Sequence, residues 1–267
     1  MDRTWRLIVD GDLPAAMNMA IDEAILLEFL RGNVPPTLRL YGWKQPSISL
    51  GCFQSLDSGR LDLKYCEEQG IQLVRRSTGG RAVIHGHDLT FSIVVGLPGL
   101  PPESRGVVSS HTLLMGGIVE GLQAIGIPAV IGPESRRHPE KTVGADCFSH
   151  IAECDVRVGR AKIAGAAQVR RGNGLMEQGS LPCRESEIDP TRIFPSQHHA
   201  SPPLPDVLVK TSLRDIQAAI ISGFQRSLGI EFACQSLTDA EKADATELEK
   251  SRYHNSNWTY AHEHSAH

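Results

Sequence analysis

The chain has 267 residues, of which 40% are hydrophobic and 22% are charged, and its formal net charge is −4 at pH 7 with histidine neutral. This balance is ordinary for a globular protein with one large domain, and the acidic charge argues against a general nucleic-acid binder. The N-terminus is charged where a signal peptide is apolar, and no apolar stretch is long enough to span a membrane. We therefore expect a cytoplasmic protein whose cysteines are free thiols.

Hydrophobic periodicity predicts the first elements of the chain. We expect a helix over AAMNMAIDEAILLEFL, with Asp22 and Glu23 on its solvent side, because its apolar residues recur at helical spacing. Period-two alternation predicts a hairpin or two adjacent strands over TLRLYGW and SISLGCF, on either side of a Lys-Gln-Pro turn. A short helix over LDLKYCEEQG and a strand over IQLV follow.

The next segment is RRSTGGRAVIHGHDLTFSIV, residues 75–94, and it places two arginines and two glycines between predicted strands. One strand follows the glycines, or two strands with a bend near Gly86. A phosphate loop of the Walker or Rossmann type must open a helix, whereas no helical period follows Gly80 until about His111. Those nucleotide motifs are therefore excluded. Adjacent strand residues face opposite sides, so we expect only Arg76, which adjoins the loop, to face a ligand.

The second half of the chain predicts further helices and strands. We expect a helix over SSHTLLMGGIVEGLQAIGI, an irregular loop over AVIGPESRRHPEKTVGADCF, and strands over CDVRVGRAKIAGAAQVRRGNGLMEQGSL. Turns are predicted at Gly159-Arg160 and at residues 172–174. Two more helices are predicted over LRDIQAAIISGFQRSLG and DAEKADATELEKSRY, and a disordered tail over AHEHSAH.

Cys147 and Lys162 are a candidate nucleophilic pair, because the lysine lies fifteen positions after the cysteine, past a predicted hairpin turn. A thiol with a pKa of about 8.5 is mostly protonated at neutral pH, so catalysis needs a proton acceptor or a nearby cation. A lysine partly desolvated in the apolar stretch AKIAGAA can serve as both. Spacing alone favours a plainer interpretation, with a buried cysteine and a snorkelling lysine, and it does not rank Cys147 above Cys154 or Cys183.

Other chemistry has less support. His85 and His87 lie two apart beside Asp88, as in a metal chelate, but no third ligand is marked and we expect no metal site. The cysteines contain no C-x-x-C pair, which argues against structural zinc. The sequence SLPCR lacks a G-x-S-x-G elbow, so serine-hydrolase chemistry has no support either.

Two motifs resemble a known superfamily. The segment RRSTGGRAVIHGHDLTFSI resembles the R-R-x-[ST]-G-G-x-x-V-x-H signature of the biotin/lipoate protein ligases and lipoyl octanoyltransferases, and GRAKIAGAAQVRR resembles their lysine segment. The resemblance covers most of the chain. It implies an α+β fold, with a mixed β-sheet flanked by helices as in the catalytic domains of biotin synthetases and class II aminoacyl-tRNA synthetases. This catalytic domain would span residues 1–235, and a C-terminal helix with a tail would span 236–267.

Within the superfamily, the chain most resembles the cysteine-dependent octanoyltransferases, in which a Cys-Phe pair precedes the lysine segment, as Cys147-Phe148 does here. The resemblance implies that Cys147 carries the acyl thioester and that Lys162 lowers its pKa and moves protons. The acyl group would pass, in lipoate biosynthesis, from octanoyl-acyl carrier protein to a lysine of a lipoyl-domain protein, such as glycine cleavage H protein or a 2-oxoacid dehydrogenase E2. No cofactor, nucleic acid or membrane is implied. The residues implied to bind the acyl group are Arg76, Gly79, Gly80, Arg81, Ala82, Val83, His85 and Gly165.

Three alternatives stay open. An ATP-dependent lipoate ligase, with Mg²⁺, needs the lysine and the glycines but no cysteine, although only 35 residues follow Phe232, too few for the accessory domain common in bacterial ligases. An octanoyl amidotransferase acting between lipoyl domains shares the thioester chemistry. A non-catalytic acyl-binding or carrier-binding module is the third alternative.

Four arginines are candidates for contact with an acidic carrier protein or with its phosphopantetheine phosphate, although plain solvation explains any single one of them as well. They are Arg136, Arg137, Arg170 and Arg171.

Overall fold

The computed structural model describes residues 3–56, 61–132, 155–186, 188–195 and 203–260. Two β-sheets form its framework, with strand orders β11-β1-β2-β6-β10-β9-β8-β7 and β4-β3-β5. The strands are β1 (Thr4–Leu13), β2 (Thr37–Trp43), β3 (Ser47–Leu50), β4 (Gln72–Arg75), β5 (Val83–His85), β6 (Asp88–Gly96), β7 (Val130–Ile131), β8 (Val156–Val158), β9 (Ala161–Arg171), β10 (Gly174–Pro182) and β11 (Glu231–Cys234).

Helices cover the large sheet on both faces. They are α1 (Ala15–Leu30), α2 (Leu63–Glu68), α3 (Val107–Ala124), α4 (Pro190–Ile193), α5 (Asp206–Lys210), α6 (Leu213–Leu228), α7 (Asp239–Leu248) and α8 (Ser256–Thr259), with a π-helical turn at Glu249–Tyr253 and 3₁₀ turns at Leu97–Gly99 and Pro102–Ser104. Within the described residues, no helix is both long and apolar enough to cross a membrane.

The large sheet is mixed: β1 runs parallel to β2 and β11, whereas the pairs from β2 through β6 and β10 to β9 are antiparallel. The α+β architecture predicted from the sequence is therefore confirmed. One face of the sheet packs against α3 and α6, and these two helices touch backbone to backbone. A Cβ atom on Gly223 would lie 2.3 Å from the carbonyl oxygen of Gly117, which explains why these helices keep glycines inside them.

The predicted hairpin between β2 and β3 is wrong. Strand β2 pairs with β1 and β6 in the large sheet, whereas β3 pairs with β4 and β5 in the small sheet. Six of the seven residues of β2 are buried, so this strand has neighbours on both edges and packing on both faces. Alternation of residue types indicated two strands but carried no information about their partners.

Helix α1 is confirmed, but the prediction that Asp22 and Glu23 face solvent is wrong, because both are buried. One side of α1 packs on the sheet, and α7 with the π-helical turn covers another side. Asp22 accepts hydrogen bonds from Arg39 and Tyr41, each at 2.7 Å. Asp22 therefore faces the sheet, whereas Glu23 accepts hydrogen bonds from Arg252 and Tyr253 of the π-helical turn, so each buried carboxylate has partners.

The C-terminal helices are joined to the sheet by a buried ion pair. Glu241 of α7 and Arg6 of β1 are both almost completely inaccessible to solvent, and their side chains meet in a bidentate pair with one hydrogen bond of 2.9 Å. Glu241 also accepts a 2.7 Å hydrogen bond from the backbone N–H of Thr238, which closes the N-terminus of α7. Helix α7 is therefore anchored to the large sheet by buried polar contacts.

We expect Glu241→Ala to lower the free energy of unfolding by about 3 to 5 kcal/mol, because Arg6 would remain buried without its counter-charge. Chemical denaturation followed by circular dichroism measures this loss. Lys242→Ala is the matched control, since Lys242 is exposed and pairs with the exposed Asp239, and it should leave the midpoint unchanged. Equal midpoints for the two variants would contradict the assignment.

Candidate active site

An open pocket with mostly apolar walls lies over the large sheet. One row of its wall crosses four neighbouring strands, because Ser180 pairs with Gly165 and Thr90, and Thr90 pairs with Tyr41. The sequence-predicted residues that line the pocket are Arg76, Gly80, Val83, His85 and Gly165. The other three predicted residues, Gly79, Arg81 and Ala82, are not part of its lining.

Arg76 holds the glycine segment in place. Its guanidinium donates to the backbone carbonyl oxygens of Ser49 at 2.8 Å, Gly79 at 2.6 Å and Arg81 at 2.7 Å. Gly80 has φ +88°, and a Cβ atom there would lie 2.9 Å from Arg76 Nη2, so both conformation and space favour glycine. Arg76 therefore shapes the pocket wall through main-chain carbonyls.

Arg75 turns away from the pocket, toward the C-terminus. Its guanidinium donates to the carbonyl oxygens of Trp258 and Thr259, each at 3.1 Å, while the indole N–H of Trp258 donates to the carbonyl oxygen of Arg75 at 2.8 Å. The two adjacent arginines thus fix the segment from both sides.

Lys162 reaches the pocket edge because β9 contains a bulge. Val156 of β8 pairs with Ala164, and the next residue, Arg157, pairs with Lys162. Ile163 is therefore an extra residue in β9 with no partner residue on β8. A bulge of this kind re-aims the neighbouring side chain. A Cβ atom on Gly165 would lie 2.7 Å from Lys162 Nζ, so the ammonium occupies the space above Gly165, which lines the pocket.

Lys162 is buried, and its Nζ lies 2.9 Å from Asp155 Oδ2. The sequence predicted an apolar environment for Lys162. The structure corrects this prediction, because the carboxylate of Asp155 contacts the ammonium. Asp155 is also the residue at which the described chain resumes after residue 132. Four candidates lie outside the described residues: Cys147, Cys154, Arg136 and Arg137.

His85 is held by hydrogen bonds at both ring nitrogens. Its Nε2 lies 2.8 Å from Ser49 Oγ, and its Nδ1 lies 2.8 Å from Asp88 Oδ2. Trp43 stacks on the imidazole with ring centroids 3.9 Å apart. Burial by itself raises the pKa of the Asp88 carboxyl, but His85 and two hydroxyl donors bring that pKa below its ordinary value. Both nitrogens of His85 are therefore engaged by protein groups, which leaves none for a metal ion.

Cys183, the described alternative to Cys147, is a poor nucleophile. Burial raises the pKa of its thiol to about 11, and the Sγ–H donates to the carbonyl oxygen of Leu181 at 3.2 Å. Burial also raises the pKa of Cys66 to about 11. A thiol with such a pKa is almost entirely protonated at neutral pH, so neither residue supplies a ready thiolate.

Arg170 and Arg171 bind within the protein. Arg170 donates to the backbone carbonyl oxygens of Arg105 at 3.0 Å and Gly106 at 2.8 Å. Arg171 pairs with the buried Glu23 at 2.7 Å. Their guanidinium groups therefore connect secondary-structure elements, which weakens the interpretation that they bind a carrier protein.

The sequence of this chain matches the protein-family model of the lipoyl protein ligase A/B catalytic domain over residues 14–201. This chain belongs to that family. Curated relatives include the octanoyltransferase LipM of Moorella thermoacetica, 35% identical over 96% of this chain and 97% of the relative, and LipM of Symbiobacterium thermophilum, 34% identical over 97% and 98%. The similarity to LipM thus extends over nearly the whole length of both proteins.

Solved structures of the lipoyl ligase family share the fold. A lipoate-protein ligase A bound with ATP has a TM-score of 0.77 and 26% identity over 97% of this chain and 99% of its own. A bipartite lipoate protein ligase from Thermoplasma acidophilum, described with its E2 lipoyl domain, has a TM-score of 0.74 and 25% identity over 98% of both chains. The fold class implied by the sequence motifs is confirmed by both.

Several residues of the site were missed at the level of sequence. Asp88 lies three positions after His85 in the same motif, so the sequence could have predicted it as a hydrogen-bond partner of His85. Asp155 had no such signal, because its contact with Lys162 depends on strand pairing. Ser49 and Gln178 come from strands of different sheets, and no local pattern relates them to the glycine segment.

We expect iodoacetamide at pH 7.5 to modify the exposed Cys234 while Cys66 and Cys183 stay unmodified in the folded protein. The raised pKa of the two buried thiols leaves a negligible thiolate fraction at this pH, and the fraction increases only as the pH approaches about 11. Peptide mass mapping measures the modification, and unfolding in guanidinium should make all cysteines reactive. Modification of Cys183 as fast as that of Cys234 would contradict the assignment.

Proposed function

We propose that this protein is an octanoyltransferase of lipoate biosynthesis that carries the octanoyl group as a thioester on Cys147. The observation that carries this proposal is the buried ammonium of Lys162 at the edge of a pocket with mostly apolar walls. The similarity to LipM over nearly the full length supports the same activity. The donor is octanoyl-acyl carrier protein, and the acceptor is a lysine of a lipoyl domain.

The lining of the pocket gives the direction in which we place the acyl chain. Gly165 and Ala167 are two residues apart on β9, which corresponds to about 7 Å along the strand. Met19 of α1 lines the pocket and contacts Gln178, the strand partner of Ala167. We place an extended octanoyl chain, which is roughly 9 Å long from its bond lengths, along this line from the Lys162 end toward Met19. Its carbonyl then lies beside the ammonium.

Lys162 and Asp155 serve the chemistry as a pair. The ammonium stabilises the Cys147 thiolate, which attacks the carrier thioester, and the Lys162 N–H groups stabilise the tetrahedral oxyanion. The bond between the carbonyl carbon and the carrier sulfur breaks, and the carrier thiol takes up the proton that Cys147 lost. Asp155 holds the lysine side chain in position throughout.

The second half of the reaction returns the enzyme to its resting state. The acceptor lysine, as a neutral amine, attacks the Cys147 thioester, and the new amide bond forms as the bond to sulfur breaks. The amine proton goes to the departing thiolate, with Lys162 as the intermediate carrier. No phosphate activation is required because the thioester already supplies an activated acyl group. The specific acceptors we expect are glycine cleavage H protein and the E2 lipoyl domains of 2-oxoacid dehydrogenases.

The proposed intermediate has a direct test. Mixing the protein with octanoyl-acyl carrier protein, without nucleotide, should give an octanoyl adduct in intact mass spectrometry that hydroxylamine removes. Cys147→Ala should abolish the adduct, and Cys234→Ala is the control that should keep it. Activity that requires ATP and survives Cys147→Ala would favour the ligase alternative. An adduct that never forms on any cysteine would favour a binding module.

The position of Lys162 has a separate test in Gly165→Ala. The added Cβ would meet Lys162 Nζ at 2.7 Å, and displacement of the ammonium by about 1 Å should slow acylation of Cys147 by roughly 100-fold. Single-turnover mass spectrometry measures the rate. Gly99→Ala is the matched control, since no atom lies within 4 Å of a Cβ there. Equal rates for both variants would refute the role assigned to Lys162.

A further inference from the structure

A second and larger open cavity adjoins the acyl pocket. His85 lines both cavities, and Lys162 lines the second one while its ammonium stands above Gly165 in the wall of the first. The two spaces therefore meet at the place where the proposed function puts the reacting carbonyl. We refer to the second space as the arm cavity.

The chemistry of a thioester donor requires such a space. With the octanoyl chain in the acyl pocket and the carbonyl at Lys162, the sulfur and everything attached to it must leave in another direction. In a carrier protein this remainder is a long pantetheine arm with two amides, a dimethyl group and a terminal phosphodiester. A matching cavity needs apolar walls near the reacting centre and a cation farther along.

The walls of the arm cavity contain both kinds of group. Apolar side chains come from both sheets and from the chain beyond them, including Ile84, Ile188 and Leu204. Two cationic or donor side chains, His87 and Arg184, stand among them.

Arg184 and His87 are held next to each other by the backbone. The carbonyl oxygen of His87 accepts hydrogen bonds from the N–H of Cys183 at 2.9 Å and from the N–H of Arg184 at 3.2 Å. Neither the Arg184 guanidinium nor the His87 ring makes a hydrogen bond or ion pair with any of the described residues. Among the carboxylates of this cavity, Asp88 is engaged by His85, and Glu185 is exposed. Arg170 and Arg171, in contrast, are committed to internal contacts.

We propose that the arm cavity binds the phosphopantetheine arm of the acyl donor, with Arg184 binding the phosphate and His87 donating a hydrogen bond to it. This inference rests on the proposed function and specifies where its donor enters. The guanidinium is suited to phosphate oxygens because it offers parallel N–H donors. A nucleotide phosphate shares this chemistry, so the experiment has to distinguish the two sources.

The test compares two small donors, octanoyl-phosphopantetheine and octanoyl-pantetheine, which differ only in the phosphate. The quantity measured is kcat/KM for acylation of Cys147 in the full-length chain. For the wild type, the donor with phosphate should be preferred. Arg184→Gln should reduce the ratio of the two values by about 10- to 100-fold, as loss of one charge-assisted contact predicts. His87→Gln should reduce the same ratio by a smaller factor.

Arg192→Gln is the matched control, because it removes the same charge from an arginine that stacks on Tyr65 at 4.7 Å and is not part of the cavity lining. Its ratio should equal that of the wild type. Equal losses with both donors, or no loss in Arg184→Gln, would overturn the proposal. Stronger inhibition by AMP than by phosphopantetheine, relieved in Arg184→Gln, would assign the cavity to a nucleotide and also overturn it. A wild type that accepts neither thioester would refute the proposed function itself, whereas a wild type that accepts both equally refutes only the arm cavity.

Discussion

The extra residue in β9 decides where the side-chain amine of Lys162 lies. In a regular strand Lys162 and Gly165, three positions apart, would face opposite sides of the sheet. Ile163 takes up the irregularity: its side chain is fully buried in the core, and Lys162 turns to the pocket side. Glycine at position 165 then leaves room for the ammonium. This single bulge thus lets Ile163 pack in the core while the charged group of Lys162 lies at the edge of the pocket.

Buried polar contacts fix the opposite wall of the pocket. Thr78 of the glycine segment donates to Gln178 at 2.9 Å, and Gln178 donates to Asp22 of α1 at 2.7 Å. Asp22 in turn pairs with Arg39, which is completely buried. Such networks add little net stability, because desolvation offsets the attraction, but they allow few alternative arrangements. The glycine segment is consequently held in one shape before any acyl group arrives, which reduces the entropic cost of binding.

Sequence patterns predicted the elements well and their relations poorly. Helical spacing located α1, α3, α6 and α7, and the glycine motif supplied part of the lining of the pocket over the large sheet. The burial of Asp22, the pairing of β3 outside the large sheet, and the contact between Asp155 and Lys162 were not predictable, because each depends on partners far away in the chain. Hydrophobic periodicity predicts which face of a helix packs on the core. It does not predict that other elements cover the remaining faces, as happens for α1. Strands β1 and β11 form a parallel pair at the sheet edge, and a parallel pairing leaves no local turn signal.

The meeting of two cavities at His85 and Lys162 is compatible with the covalent intermediate that we propose. The donor arm and the acceptor lysine must both reach the same carbonyl, and the acyl pocket is occupied by the chain itself. In this proposal the acceptor side chain uses the same cavity as the arm. A thioester on the protein removes this conflict, since the carrier departs with its arm while the acyl chain stays in place. The acceptor side chain then enters through the space that the arm has left, so that the order of the two half-reactions follows from the shape of the site.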